Sequence, residues 1–159
     1  MAFDAFLKID GIEGESTDDK HKGEIDVLSW SWGASNPTTV SSGGGGTAGK
    51  VSMQDFHFVS RVNKASPLLF IKCATGEHIK SAVLSVRKAG GQAFEYIKLT
   101  LSDCLVSSYM PAGAPDDAAS EEVSLNFSKI EFSYSPQNAD GSIGSPITAI
   151  FDIAANKIG

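Results

Sequence analysis

The stretch "EEVSLNFSKIEFSYS", residues 121–135, alternates apolar and polar side chains with the two-residue period of a β-strand, but the phase changes halfway. Its apolar side chains occupy odd positions up to Phe127 and even positions from Ile130 onward. One straight strand cannot keep both sets on one face. A β-bulge near Ser128–Lys129 would restore the register and bend the strand, as barrels require. We therefore predict that this strand belongs to a curved, closed or nearly closed sheet.

The rest of the chain also reads mostly as strands. Six further segments are candidate strands, most of them with the same two-residue period. These segments are residues 6–12, 23–35, 51–62, 78–89, 94–110 and 147–155. Many short strands separated by turn residues are typical of antiparallel sheets rather than of parallel sheets with crossover helices. The sequence therefore predicts a mainly β protein.

One helix is predicted in "KASPLLFIKCATGEH", residues 64–78. Ser66 suits the capping position, Pro67 the first helical position, and Gly76 the left-handed residue that ends a helix. The helix is apolar almost all round, so we expect it to pack on the sheet or between subunits. Together with about seven strands it predicts a small antiparallel β-barrel of two curved sheets with one flanking α-helix. All of residues 1–159 are assigned to this single domain.

The segment "SSGGGGTAGKV", residues 41–51, is one residue short of the phosphate-binding pattern G-x-x-x-x-G-K-[ST]. Gly44 to Lys50 fit the pattern, but Val51 stands where a hydroxyl would hold magnesium. The residues that follow alternate like a strand, whereas a phosphate site needs a helix N-terminus there. We therefore predict no nucleotide site, and interpret residues 36–50 as a flexible glycine-rich loop.

Other catalytic and metal-binding patterns are equally weak. The three histidines, His21, His57 and His78, have no metal-ligand spacing, and Cys73 and Cys104 form no C-x-x-C pair. Nucleophile-elbow and glycosidase patterns are also unsupported. We predict no catalytic residue, no metal and no cofactor. An enzyme acting through Cys73 and His78, which straddle the predicted helix end, stays open as an alternative.

Charge and hydropathy exclude two classes of partner. The formal net charge is −6 and the pI is about 4.9, so the clustered Lys and Arg of a nucleic-acid footprint are missing. No segment approaches the roughly 20 apolar residues of a membrane-spanning helix. The N-terminus "MAFDAFLKID" lacks the basic and apolar regions of a secretory signal. We expect neither nucleic-acid binding nor membrane insertion, and no export by the ordinary signal-peptide route.

Several long segments, taken in order, resemble the haemolysin-coregulated protein family (Hcp) of type VI secretion systems. The segments are "GEIDVLSWSWGASN", "GGGGTAGKVSMQDFHF", "KASPLLFIKCATGEHIK", "RKAGG", "SSYM" and "VSLNFSKIEFSYSPQNADG". The resemblance implies six copies in a ring, rings stacked into a tube, and small effectors carried and protected inside. It also implies a spike-tip protein and a contractile sheath as partners. The protein would be cytoplasmic before assembly and secreted without a signal peptide.

The resemblance also implies that one face of the strand over residues 23–33 lines the ring interior. The strand period places Trp30 and Trp32 opposite Ser29 and Ser31, the latter sharing their face with positions 25 and 27. Because tryptophans are large and apolar, we assign Trp30 and Trp32 to the core or a subunit contact. Ser29 and Ser31 then face the lumen, although an ordinary strand surface is an equally good interpretation.

The glycine-rich loop is given a role in ring stacking. Gly43, Gly44, Gly45 and Gly46 allow close approach of the backbone to another chain, and Lys50 could pair with an acid of the next ring. The alternative is a monomeric ligand-binding β-barrel module that uses this loop for its ligand.

Overall fold

The structure is a computed structural model that describes residues 3–37, 50–88 and 94–159. Its elements, in chain order, are β1 (Phe3–Ile9), β2 (Ile25–Ser35), β3 (Ser52–Arg61), α1 (Ser66–Thr75), β4 (Ile79–Lys88), β5 (Glu95–Ala114), β6 (Asp117–Tyr134), β7 (Ile147–Asp152) and β8 (Lys157–Ile158). The prediction of a mainly β protein with one helix is confirmed. The predicted strand over residues 121–135 corresponds to β6, which begins earlier, at Asp117, and ends at Tyr134.

The strands form an antiparallel sheet in the order β3-β2-β1-β4-β5-β6-β7-β8. An additional pairing between β3 and β6 joins the two ends of the first six strands, so the sheet closes into a barrel. Strands β7 and β8 extend the sheet beyond this closure. Closure removes the free edges that an open sheet of six strands would expose. The small antiparallel barrel is therefore confirmed.

The phase change in β6 is also confirmed, but its geometry differs from a bulge in one strand. Buried side chains end with Phe127 and resume at Ile130, and β5 shows the same change between Leu101 and Cys104. The β5–β6 register is the same on both sides of this point. Asp103, between the two buried positions of β5, has a φ of 52°. Both strands therefore change face together.

This change of face coincides with a change of neighbour. β6 pairs with β3 up to Leu125, and it pairs with β7 from Lys129 onward. The intervening residues turn β6 from the closed barrel into the extension. The pattern read from the sequence thus marks the point where the barrel ends.

Apolar side chains from the six barrel strands and the helix fill the interior. The largest fully buried ones include Phe56, Phe58, Leu7, Ile25, Leu69, Leu84, Leu99, Leu101 and Leu125. Burying a side chain of this size stabilises the fold by about 1.5–3 kcal/mol relative to leaving it in water. The inward direction of these residues fixes which alternate residues of each strand face outward.

The helix α1 lies against β5 and ends as predicted, at Gly76, whose φ is 68°. The Gly76 amide donates to the carbonyl of Lys72 at 3.0 Å. The predicted cap is wrong: Ala65 occupies the N-cap position, and Ser66 is the first helical residue. The Ser66 hydroxyl instead accepts a hydrogen bond from the backbone N–H of Asn63 at 2.9 Å, because the chain makes a turn before the helix.

Candidate functional site

The outer surface of β2, β3 and β6 forms a polar face opposite the barrel core. Because Phe56 and Phe58 are fully buried, the intervening His57 points outward. His57 pairs with Ser31 of β2 on one side and with Ser124 of β6 on the other. We call this surface the polar face and define it by Ser29, Ser31, Asp55, His57, Glu122 and Ser124.

Ser29 and Ser31 of β2 lie on the polar face because the strand contains a register shift that its sequence did not reveal. Ile25 and Val27 are buried, as expected for odd positions facing inward, but Ser29 and Ser31 are exposed. The pairing with β3 shifts by one residue between Val27 and Ser29. The shift moves the inward direction from odd to even positions. The expectation that residues 25, 27, 29 and 31 share one face is therefore wrong.

The two tryptophans lie on the core side of β2, as the shifted register requires. Trp30 pairs with Phe58 and is half-buried against the core. Trp32 contacts the ring of Phe132 edge-on, with 5.4 Å between centroids. Trp32 also lines a groove of about 360 Å³ whose walls are apolar side chains from β2, β3, β6, β7 and β8. This apolar groove lies open at the surface.

Hydrogen bonds orient the side chains of the polar face. Nδ1 of His57 lies 3.2 Å from the hydroxyl of Ser124. Asp55 accepts hydrogen bonds from the Ser107 hydroxyl at 2.5 Å and from the Asn126 amide at 3.0 Å. These contacts tie β3 to β5 and β6 across the surface. Hydrogen bonds therefore orient the Asp55, His57 and Ser124 side chains of the face.

The charge on the polar face is negative. Strand β2, residues 52–60 of β3 and residues 117–128 of β6 contain no Lys or Arg. Asp55 is half-buried, and Glu122 is exposed. The cations elsewhere on these strands are Arg61, at the end of β3, whose guanidinium pairs with Asp117 at 3.1 Å, and Lys129, in the part of β6 that pairs with β7. Exposed lysines on the other barrel strands are Lys8 of β1, Lys80 of β4 and Lys98 of β5.

A buried carboxylate, Glu121, lies between the polar face and the helix. The Ser60 hydroxyl donates to its Oε1 at 2.9 Å, while Oε2 has no partner among the described residues. Burial raises the pKa of the neighbouring Tyr109, and Glu121 raises it further. The carboxylate links β3 and β6 beside the start of the helix, so its contacts are structural.

A second charged cluster holds the segment between β1 and β2 against the barrel. The carboxylate of Asp18 accepts two hydrogen bonds from the Arg87 guanidinium, the shorter of 2.6 Å. This interaction lowers the pKa of Asp18 and raises that of Arg87. His21 stacks on the Phe6 ring, and the Arg87 guanidinium also lies over that ring. The cluster fastens a connecting segment and contributes nothing to the polar face.

The candidate catalytic pair from the sequence is not assembled. Nδ1 of His78 lies 2.6 Å from Asp103, and within the described part of the chain no hydrogen bond joins His78 to Cys73. Cys73 packs half-buried against the core, and burial raises the pKa of Cys104 to about 12. Both cysteines are free thiols. Among the described residues, neither thiol hydrogen-bonds to a side chain that could act as the base in nucleophilic catalysis.

The other sequence-predicted features are placed as follows. Lys50 is exposed, and β3 begins two residues later, so a strand and not a helix follows the glycine-rich segment. Gly43, Gly44, Gly45 and Gly46 lie outside the described residues. In residues 3–37, 50–88 and 94–159, no group of three or more His, Cys, Asp or Glu side chains could hold a metal ion. No helix in these ranges is long and apolar enough to cross a bilayer.

The sequence identified Ser29 and Ser31 but missed the other members of the polar face. The alternation around Phe56 and Phe58 would have placed His57 outward, since the strand period is clear there. It could not have shown that His57 pairs with Ser31 and Ser124. That juxtaposition depends on the β2–β3 and β3–β6 registers.

Comparison with solved structures places the chain in a class of small antiparallel barrel proteins from type VI secretion systems. Hcp1 from Salmonella typhimurium is 45% identical, with a TM-score of 0.85 and complete coverage of both chains. A protein described as a type six secretion system protein is 31% identical, with a TM-score of 0.94 and coverage of 99% of this chain and 100% of that one.

Sequence comparison gives the family. The profile described as "Type VI secretion system effector, Hcp" matches residues 6–134. Protein hcp1 of Pseudomonas aeruginosa is 44% identical over 159 residues, which covers 98% of each chain. The chain therefore belongs to the Hcp family of type VI secretion proteins, and the resemblance noted in its segments is confirmed.

Proposed function

We propose that this protein is the structural tube protein of a type VI secretion system. Six copies form a ring, rings stack into the exported inner tube, and the lumen carries and protects small effectors. The main observation that supports this proposal is that one face of the small barrel is polar, while apolar surfaces lie elsewhere on it. A polar face suits a water-filled lumen, whereas the apolar surfaces suit contacts between copies.

The apolar surfaces lie at two places. On α1, the side chains of Leu68, Phe70 and Ile71 are each about half exposed. The second place is the groove that Trp32 lines, together with Met53 and Phe132. A surface helix of a monomer ordinarily turns polar residues to the solvent. Contacts between identical subunits would cover both surfaces and keep them from water.

The proposed site residues follow from this arrangement. Ser29 and Ser31 face the lumen as part of the polar face, and Trp30 and Trp32 support the barrel wall or a neighbouring subunit. The segment from Gly43 to Gly46, with Lys50, reaches toward the next ring. The further partners are the spike-tip protein, the contractile sheath and small effectors. The protein assembles in the cytoplasm and leaves the cell with the tube.

The test is the mass of the purified protein in solution. Light scattering coupled to size exclusion should give about six chain masses, because a closed ring has a defined stoichiometry. The mass should not rise continuously with concentration, as it would for an open assembly. A clean monomer at micromolar concentration would contradict the proposal and favour the monomeric ligand-binding module.

A further inference from the structure

We propose that the polar face selects clients with basic surfaces, rich in Lys and Arg, and that His57 at its centre must not carry a fixed positive charge. This inference rests on the proposed function, since it names the class of client that the lumen would hold. It concerns the chemistry of the face rather than the existence of the ring.

The first argument is the distribution of charge. The strand segments of the polar face, residues 25–35, 52–60 and 117–128, present Asp55 and Glu122 without a lysine or arginine, and Arg61 at their margin is already paired with Asp117. The lysines of the barrel strands lie on β1, β4 and β5, and at Lys129 in the part of β6 that pairs with β7. A surface of one sign concentrates partners of the opposite sign and repels those of its own. In a ring, every copy would add its carboxylates to the same enclosed space.

The second argument is the position of His57. The residue lies between Ser31 and Ser124 on adjacent strands, and its ring is held by the Ser124 hydroxyl. On its own strand it is flanked by Asp55 and Val59, and the latter pairs with Glu122. The neighbours of His57 on the face are therefore two serine hydroxyls, the Val59 side chain and the carboxylates of Asp55 and Glu122. A permanent cation at this position would cancel much of the attraction for a basic client.

The groups on the face also fit the hydrogen-bond donors of such a client. Carboxylates accept hydrogen bonds from Lys ammonium and Arg guanidinium groups, and serine hydroxyls accept from backbone or side-chain N–H groups. An acidic client would meet carboxylates with no cation to offset them. The charges that attract the client are exposed to solvent, so their attraction should weaken as the salt concentration rises.

The experiment uses the full-length protein and two fluorescent peptides of equal length, one rich in lysine and one rich in glutamate. Fluorescence anisotropy should show salt-sensitive binding of the lysine-rich peptide and no comparable binding of the other. Glu122→Gln should lower the affinity for the lysine-rich peptide by about two- to fivefold, as expected for loss of one exposed charge pair. Asp10→Asn, an equal change of charge in the turn after β1, should leave binding unchanged.

Two substitutions of His57 separate charge from shape. His57→Gln keeps a polar side chain and should preserve binding, whereas His57→Lys should weaken it at least as much as Glu122→Gln does. Equal binding of the two peptides, or binding that ignores Glu122→Gln, would overturn the inference. Light scattering on the same samples separates the two proposals. A mass of six chains together with equal binding of both peptides would contradict only the proposal of a basic client. A monomeric mass would contradict the proposed ring as well.

Discussion

At the scale of single residues, neighbours in the chain have opposite roles because the strand period turns them to opposite sides. Phe58 fills the core, while His57 belongs to the polar face and contacts Ser124. The same is true of Trp30 and Ser31 on β2. A substitution on the polar face should therefore change what the surface binds without disturbing the packing beneath it.

Ser31→Arg tests this separation. Ser31 is exposed, so the longer side chain can extend into solvent and the ring should keep its mass. The added cation and bulk should weaken binding of the lysine-rich peptide, and retention of an effector should fall with it. Ser145→Arg, which adds the same charge in an exposed segment before β7, is the matched control. Loss of the ring would show that Ser31 is buried in the assembly, which contradicts the lumen assignment.

At the scale of elements, the end of the helix is set by a local sequence signal, whereas its start depends on contacts with the preceding residues. Gly76 ends α1 in the left-handed conformation, and an added Cβ there would meet no atom within 4 Å. Its role is therefore conformational rather than steric. At the other end, Ser66 contacts Asn63 before the helix instead of capping it.

Gly76→Ala should lower the free energy of unfolding by about 1 kcal/mol, since only the left-handed backbone opposes the new methyl group. Urea denaturation would show this as a lower transition midpoint with an unchanged slope. Gly76→Asn should be less destabilising, because asparagine tolerates that conformation better than alanine. Equal stability of the glycine and alanine proteins would contradict the conformational argument.

At the scale of the whole molecule, β6 organises the barrel by pairing with β3 first and with β7 afterwards. The exchange of partners closes six strands and leaves β7 and β8 as an extension. Closure brings β2, β3 and β6 side by side, so it creates the polar face. In the sequence, the glycine-rich segment connects β2 and β3, two strands of that face.

Deleting Gly43–Gly46 tests the role of that segment in stacking. The ring mass should stay unchanged, because the barrel strands on either side are intact, while tube formation and secretion should fall. Replacing the four glycines with serines keeps the length and serves as the control. A deletion that leaves tube formation and secretion unaltered would contradict the stacking role.

Calorimetric titration of the intact protein with ATP or GTP should give no heat of binding. Val51 lacks the hydroxyl that would hold magnesium, and β3 follows where a phosphate site needs a helix. Micromolar affinity that disappears when Gly43–Gly46 are removed would overturn this expectation and restore the phosphate-loop interpretation.

The sequence by itself determined the elements of this protein. Alternation of side chains specified most strands and the point where β6 changes face, while Pro67 and Gly76 marked the helix. These signals are local: they depend on the strand period and on backbone preferences within a few residues. The segments that resemble Hcp proteins also indicated the family, because many of them occur together and in order.

Only the tertiary structure decided which residues share a surface. The shift in β2 after Val27, the matching change of face in β5, and the row from Ser31 through His57 to Ser124 all depend on pairing between distant strands. A register shift of one residue exchanges the buried and exposed sides of a strand. The composition and charge of the polar face therefore followed from barrel closure, which no single segment of the sequence encodes.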